Sequence, residues 1–237
     1  MLDIVYEDEE LIVLNKPAGL VVHPGAGNPD NTLMNGLLFK YSELKEVPRA
    51  GIIHRLDKDT SGLMVVAKNL ISHTALLRLF EKRKISRHYV AVCNGALTGG
   101  GTINLPISRH PIDRKKMSVQ DSGREAITHF AIKERFASFT YISVKLETGR
   151  THQIRVHFAH RRNALVGDQT YGKRLSIPKN ASEELIQILR HFKRQALHAE
   201  RLVFNHPLTD KTIDIKVSPP KDFIKLVEVM RRDLIND

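Results

Sequence analysis

The run HRLDKDTSG, residues 54–62, places Arg55, Asp57, Lys58, Asp59, Thr60 and Ser61 between the apolar segments GII (51–53) and LMVVA (63–67). Carboxylates two positions apart, each beside a cation, are open to two readings. They can be solvated ion pairs of a polar loop, which contribute little. They can also be a reactive carboxylate carried on a loop between buried segments, a usual place for catalysis. A glycosidase would need two carboxylates on opposite sides of a scissile bond, and Asp57 and Asp59 on adjacent turn positions make poor opposed partners.

Other chemistries lack their residues. Gly99, Gly100 and Gly101 carry neither the GK[ST] of a phosphate loop nor GxGxxG spacing, so they read as a hairpin tip and no nucleotide cofactor is expected. His152, His157 and His160 fall on different faces of a helix without an HExxH-type pattern, so no metal is expected and they read as helix surface or RNA contacts. The single cysteine, Cys93, lies in the apolar run YVAVC, which leaves no disulfide framework, no cysteine zinc site and no exposed thiol nucleophile. No GxSxG elbow is present.

Charge narrows the partner. Thirty-seven Lys and Arg against 26 Asp and Glu give +11, which favours polyanions such as nucleic acid or an anionic membrane. The basic residues gather at 78–87, at 109–116 and at 155–162. The opening MLDIVYEDEE is acidic, and no apolar run approaches the roughly 20 residues a membrane span needs. A cytoplasmic, non-membrane protein, a monomer with nucleic acid as its partner, is the expectation.

The elements that must position these residues follow from periodicity and turn chemistry. LIVLN and LVVH read as strands around a Pro17-Ala18-Gly19 turn, with a loop over 23–31. Asn31 or Thr32 can cap a helix bearing Leu33, Leu37 and Tyr41, and Ser72 can cap another through Leu76, Leu77, Leu79 and Phe80. Segments 86–95, 126–136 and 140–147 read as strands; in the last, Ile142, Val144 and Leu146 alternate with Ser143, Lys145 and Glu147. THQIRVHFAHRR reads as a helix with Thr151 as cap, and FIKLVEVMRRDLI as a C-terminal helix. The fold class is α+β, a mixed, largely antiparallel sheet with flanking helices, read as one domain over residues 1–237.

HRLDKDTSG, together with NKPAGLVVHP (15–24), SRHYVAVCNG (86–95), LETGRTHQIRVH (146–157) and VGDQTYG (166–172), resembles the RluA family of pseudouridine synthases. The fuller wording, with HPGAGNPDNTLMNGLL, PISRHP and RQALHAERL, is similar to the branch of that family acting on large-subunit ribosomal RNA. The resemblance implies an isomerase with the pseudouridine synthase catalytic fold. Uridine in RNA would lose its N1–C1′ bond, the uracil would turn in place, and C5 would bond to C1′, with no cofactor required.

By the same resemblance, Asp57 is the catalytic aspartate, either a nucleophile on the sugar or a base at the neighbouring carbon. Arg155 falls where the family has an arginine beside that carboxylate, which would favour the charged form; an ordinary helix-surface arginine is the alternative. Tyr89 matches a tyrosine stacked on the target base, or is a core strand tyrosine. Arg55 matches an arginine able to occupy the hole left by a flipped base, or is a partner for Asp57. Lys16 and Pro17 shape the loop near the site without a chemical role. Members of this branch carry an N-terminal RNA-binding S4 module, which this chain does not show. The same chemistry on tRNA, and a non-catalytic RNA-binding protein, stay as alternatives.

Overall fold

The computed structural model describes residues 2–25, 27–172 and 177–235. Position 26, inside the loop expected over 23–31, lies outside the described residues. The chain runs β1 (Ile4–Glu7), β2 (Leu11–Lys16), α1 (Leu33–Lys40), β3 (Ser61–Ala67), α2 (Leu70–Glu81), β4 (Ser86–Asn94), β5 (Gly101–Asn104), β6 (Ile107–Arg109) and β7 (Met117–Val119). It continues through β8 (Ile127–Arg135), β9 (Phe139–Leu146), α3 (Gln153–His160), α4 (Glu183–His191), β10 (Leu197–Asn205), β11 (Thr212–Lys216) and α5 (Lys221–Ile235). The α+β class with largely antiparallel pairing holds, as the paired registers show. Two compact units emerge, residues 1–87 with 199–218 and residues 88–198 with 219–237.

In the first unit the strand order is β1-β2-β3-β10, with β11 on β10. Its core gathers Leu11, Val13, Leu63, Val65, Leu76, Leu202 and Phe204. β3 is buried along its whole length, as expected of a central strand covered on both faces. Helix α1 starts at Thr32, whose hydroxyl accepts from Asn35 N while the Asn35 side chain accepts from Thr32 N, a reciprocal cap. α2 starts one turn earlier than expected: Asn69 is the cap, and Ser72 is the third residue of the same reciprocal box. Ser72 Oγ also donates to Glu10 O at 2.7 Å, tying the helix start to the chain just before β2.

LVVH is not a strand. The carbonyls of Val21 and Val22 accept from Leu33 N and Met34 N at 2.8 and 3.0 Å, so this segment satisfies the first N–H groups of α1. GII is not a strand either: Pro48–Gly51 forms a short 3-10 turn, and Ile52 makes one isolated bridge to Val66.

In the second unit the order is β4-β9-β8-β5, with β6 and β7 as a separate hairpin. β8 and β9 pair antiparallel, Phe130 opposite Val144 and Ile132 opposite Ile142. Phe223, Leu226, Val227 and Met230 recur at helical spacing along α5 and pack with Leu185 and Leu189 of α4 against Val90, Val92 and Tyr141. Helix α3 lacks a side-chain cap. His152, not Thr151, is its first flanking residue, and it holds a left-handed backbone with φ 57°. Among the described residues no helix is long and apolar enough to cross a membrane.

Candidate active site

Asp57 sits on a tight turn of the first unit, its carbonyl accepting from Thr60 N at 3.1 Å immediately before β3 begins at Ser61. The carboxylate residue is half-buried, Arg55 is exposed, and Leu56 between them is buried, which anchors the segment. Gly62, with φ 118°, lies against the backbone of Ala199, and a Cβ there would collide with it. Thr60, Ser61 and Gly62 thus shape a turn that lies between a short 3-10 turn and the start of β3.

The strongest constraint on this turn comes from Lys16, which is 0% exposed. Its ammonium donates to the carbonyls of Pro17, Leu20 and Lys58 at 2.8, 2.9 and 2.9 Å. Gly19 N donates to the same Lys58 carbonyl at 2.9 Å. An ammonium has three N–H donors, and here three backbone carbonyls receive them. The NKPAG segment is thereby stapled to the residue after Asp57. The expectation that Lys16 shapes the loop holds, through a side chain wholly withdrawn from solvent.

His54 fixes the other end of the motif, and its role was not read from the sequence. Its Nε2 accepts from Val65 N at 2.9 Å, and its ring packs on Phe80 with centroids 4.9 Å apart. Burial, with the Arg87 charge adding to it, pushes the imidazole down to about 3, so it stays a neutral acceptor. His23 is also held below its ordinary value, by burial first and then by the charges of Arg55 and Arg49.

Tyr89 and Arg155 belong to the second unit. Tyr89 lies in β4 and is 6% exposed. Arg155 lies in α3 and is buried, so it is not an ordinary helix-surface arginine. Its Nε and Nη2 donate to the two carboxylate oxygens of Asp168 at 2.8 and 2.9 Å. Asp168 Oδ1 also accepts from Thr170 N and Tyr171 N at 2.9 and 3.0 Å. Two parallel charge-assisted hydrogen bonds of this kind fix the orientation of the guanidinium.

The remaining polar residues of LETGRTHQIRVH build the scaffold of α3. Gln153 Oε1 accepts from Thr148 Oγ1 and Arg150 N, both at 2.9 Å, while its Nε2 donates to Ile127 O and Thr128 Oγ1, both at 3.0 Å. His157, expected on a helix surface, is 0% exposed. Its Nε2 donates to Leu105 O at 2.9 Å, and its Nδ1 lies 2.9 Å from Thr128 Oγ1. Every polar atom of this small network has a partner, the condition under which buried polar groups add rigidity rather than cost stability. No group of His, Cys, Asp and Glu suited to a metal ion occurs among the described residues.

The chain is similar to known proteins over most of its length. Residues 10–160 match the family model described as RNA pseudouridylate synthase, a stretch that includes Asp57, Tyr89 and Arg155. The protein named ribosomal large subunit pseudouridine synthase D of Xanthomonas campestris is 54% identical over 232 residues, which cover 98% of this chain and 70% of that one. Its namesake in Haemophilus influenzae is 53% identical over 234 residues, 99% of this chain and 72% of that one. Among solved structures, human RNA pseudouridylate synthase domain containing 1 superposes with a TM-score of 0.71 at 25% identity, over 93% of this chain and 84% of that one. Human RNA pseudouridylate synthase domain containing 4 shares the fold, with a TM-score of 0.74 at 23% identity over 97% and 93% of the two chains. The chain belongs to the RNA pseudouridylate synthase family.

Proposed function

We propose that this chain converts uridine to pseudouridine within large-subunit ribosomal RNA, with the Asp57 carboxylate acting at the glycosidic bond of a uridine turned out of its stack. The N1–C1′ bond breaks and a C5–C1′ bond forms; N1 gains a proton and C5 loses one, so mass and redox state are unchanged. The carboxylate attacks C1′ or removes a proton from the neighbouring sugar carbon, and in either case its charged form is the reactive one.

The observation that carries this reading is the Lys16 staple. A buried ammonium spends all three donors on fixing the backbone around the residue next to Asp57, which is the preorganisation a reacting carboxylate needs and a solvated loop does not. Tyr89, Arg155 and Arg55 serve as substrate-binding residues: Tyr89 by stacking on the base, Arg155 through directed N–H donors, and Arg55 by occupying the space a flipped base leaves. The choice of ribosomal RNA rests on the likeness to two proteins named for the large ribosomal subunit. A net charge of +11 supplies phosphate contacts for any RNA and does not itself select one.

The test is competition. Purified chain is given equal amounts of unmodified large-subunit ribosomal RNA stem-loops and tRNA transcripts, and pseudouridine is mapped by carbodiimide treatment and reverse-transcription stops. The proposal expects stops in the ribosomal stem-loops first. Preferential modification of tRNA would overturn the substrate, and release of free uracil would overturn the isomerisation.

A further inference from the structure

The β6–β7 hairpin has a tip braced by its own polar groups. His110 Nδ1 accepts from Asp113 N at 3.0 Å, Asp113 Oδ1 accepts from Lys115 N at 3.1 Å, and Asp113 O accepts from Lys116 N at 2.9 Å. The tip displays Ile112, 87% exposed, among Arg109, Arg114, Lys115 and Lys116. Behind it, Met117 N donates to the hydroxyl of Tyr171 at 2.9 Å. The same hydroxyl lies 2.6 Å from Nδ1 of His152, the left-handed residue at the start of α3, and the two rings meet edge to face with centroids 5.5 Å apart. The Arg155 guanidinium lies over the Tyr171 ring, 5.0 Å from its centroid. Tyr171 N then donates to the Asp168 oxygen that also accepts from Arg155 Nη2.

Tyr171 therefore meets three things at once: a strand of the basic hairpin, the strained start of α3, and the arginine of that helix. Tyr171, Met117 and Val119 pack against the small core of Ile107, Ala126 and Val156, and such apolar packing supplies contact without direction. A bond from a backbone N–H to a hydroxyl does fix direction, because neither the strand nor the ring can slide without losing it.

We propose that Tyr171 is a positioning residue that ties the basic hairpin to α3, its hydroxyl setting the hairpin and its ring setting Arg155. An RNA strand lying on Arg109, Arg114, Lys115 and Lys116 is thereby registered against the helix that carries the substrate-binding arginine. This rests on the reading of the chain as an RNA-modifying enzyme, and it separates two duties within one side chain.

The experiment compares the full chain with Tyr171→Phe and Tyr171→Leu on a large-subunit ribosomal RNA stem-loop. It measures kcat and KM for pseudouridine formation and hydrogen exchange of the Met117 amide in RNA-free protein. Tyr171→Phe keeps the ring and loses the hydroxyl: kcat should stay within about twofold of wild type, KM should rise several-fold, and Met117 should exchange faster. Tyr171→Leu should in addition lower kcat by about tenfold or more, a size expected when a substrate-positioning group is displaced. Wild-type KM and wild-type Met117 exchange in Tyr171→Phe would overturn the hydroxyl's role. Equal kcat in the two variants would overturn the ring's. If Tyr171→Leu does not fold, the Phe variant still decides the first point. An inactive wild-type chain would sink the enzyme reading, while the exchange comparison would still decide the tie between hairpin and helix.

Discussion

Arg155 and Asp168 form a two-pronged ion pair, Nε to Oδ2 at 2.8 Å and Nη2 to Oδ1 at 2.9 Å, with both residues buried. Burial alone pushes the Asp168 carboxyl upward, but the Arg155 hydrogen bonds and charge, with the N–H groups of Tyr171 and Thr170, outweigh it and hold the group below its ordinary 3.8. A carboxylate depressed in the folded state adds stability above its unfolded pKa and loses it as pH falls through the folded value. Asp168→Asn leaves a buried guanidinium without its counter-charge, for which a loss of about 3–5 kcal/mol is expected near neutral pH. Urea denaturation at a series of pH values should show this gap closing below pH about 4. An unchanged midpoint at neutral pH would contradict the pair's structural role.

Lys16→Met keeps the length of the stem and removes the ammonium, leaving the carbonyls of Pro17, Leu20 and Lys58 short of a donor. Gly19 N still serves Lys58 O, so that carbonyl suffers least. A destabilisation of about 2–4 kcal/mol is expected from unsatisfied buried acceptors. Because Lys58 adjoins Asp57, kcat should fall at temperatures where the variant is still folded. Wild-type kcat with lowered stability would reduce Lys16 to a fold-stabilising residue.

His54 gives the motif a pH dependence of its own. Its imidazole is held at about 3 against an ordinary 6.5, so the unfolded chain binds a proton that the folded chain refuses. The stability it contributes is complete above pH 6.5 and is lost as pH falls below that value toward 3. His54→Gln presents a side-chain oxygen to Val65 N without titrating. Its stability curve should therefore fall less than that of wild type between those two pH values. His157 and His23 are depressed as well and act in both proteins, so the difference between the curves is the quantity to read. Parallel curves would show that His54 is not the titrating group.

The sequence made the strands of the second unit legible because their burial pattern is written in alternation: Ile142, Val144 and Leu146 face inward as read. LVVH misled because a run of three apolar residues looks the same whether its carbonyls pair with a strand or, as here, with the first turn of α1. The start of α3 was misplaced because a left-handed His152 needs no side-chain cap, and composition does not reveal positive φ. The motif residues were legible as a set, but not the division of labour among them. Lys16, His54, Gln153 and His157 are polar, and polar residues at a site read as surface or ligand contacts. Lys16, Gln153 and His157 are buried with their polar atoms partnered, and the partly buried His54 is fixed by Val65 N, which are tertiary facts. Asp168 stood in the quoted block VGDQTYG with no role, since its partner Arg155 is 13 positions away in sequence.

The central claim is that Asp57 is the reacting carboxylate, and Asp57→Asn tests it most directly, because it keeps the size and the hydrogen-bonding shape of the side chain and removes its charge. The Lys16 staple and the Thr60-to-Asp57 turn involve backbone carbonyls that this change does not touch. Folding and RNA affinity should therefore stay near wild type. The measurement is pseudouridine formed in a large-subunit ribosomal RNA stem-loop, read as carbodiimide-dependent reverse-transcription stops over time. The account predicts no stops above background for Asp57→Asn under conditions in which wild type and Asp59→Asn both convert the substrate. Appreciable turnover by Asp57→Asn would contradict it.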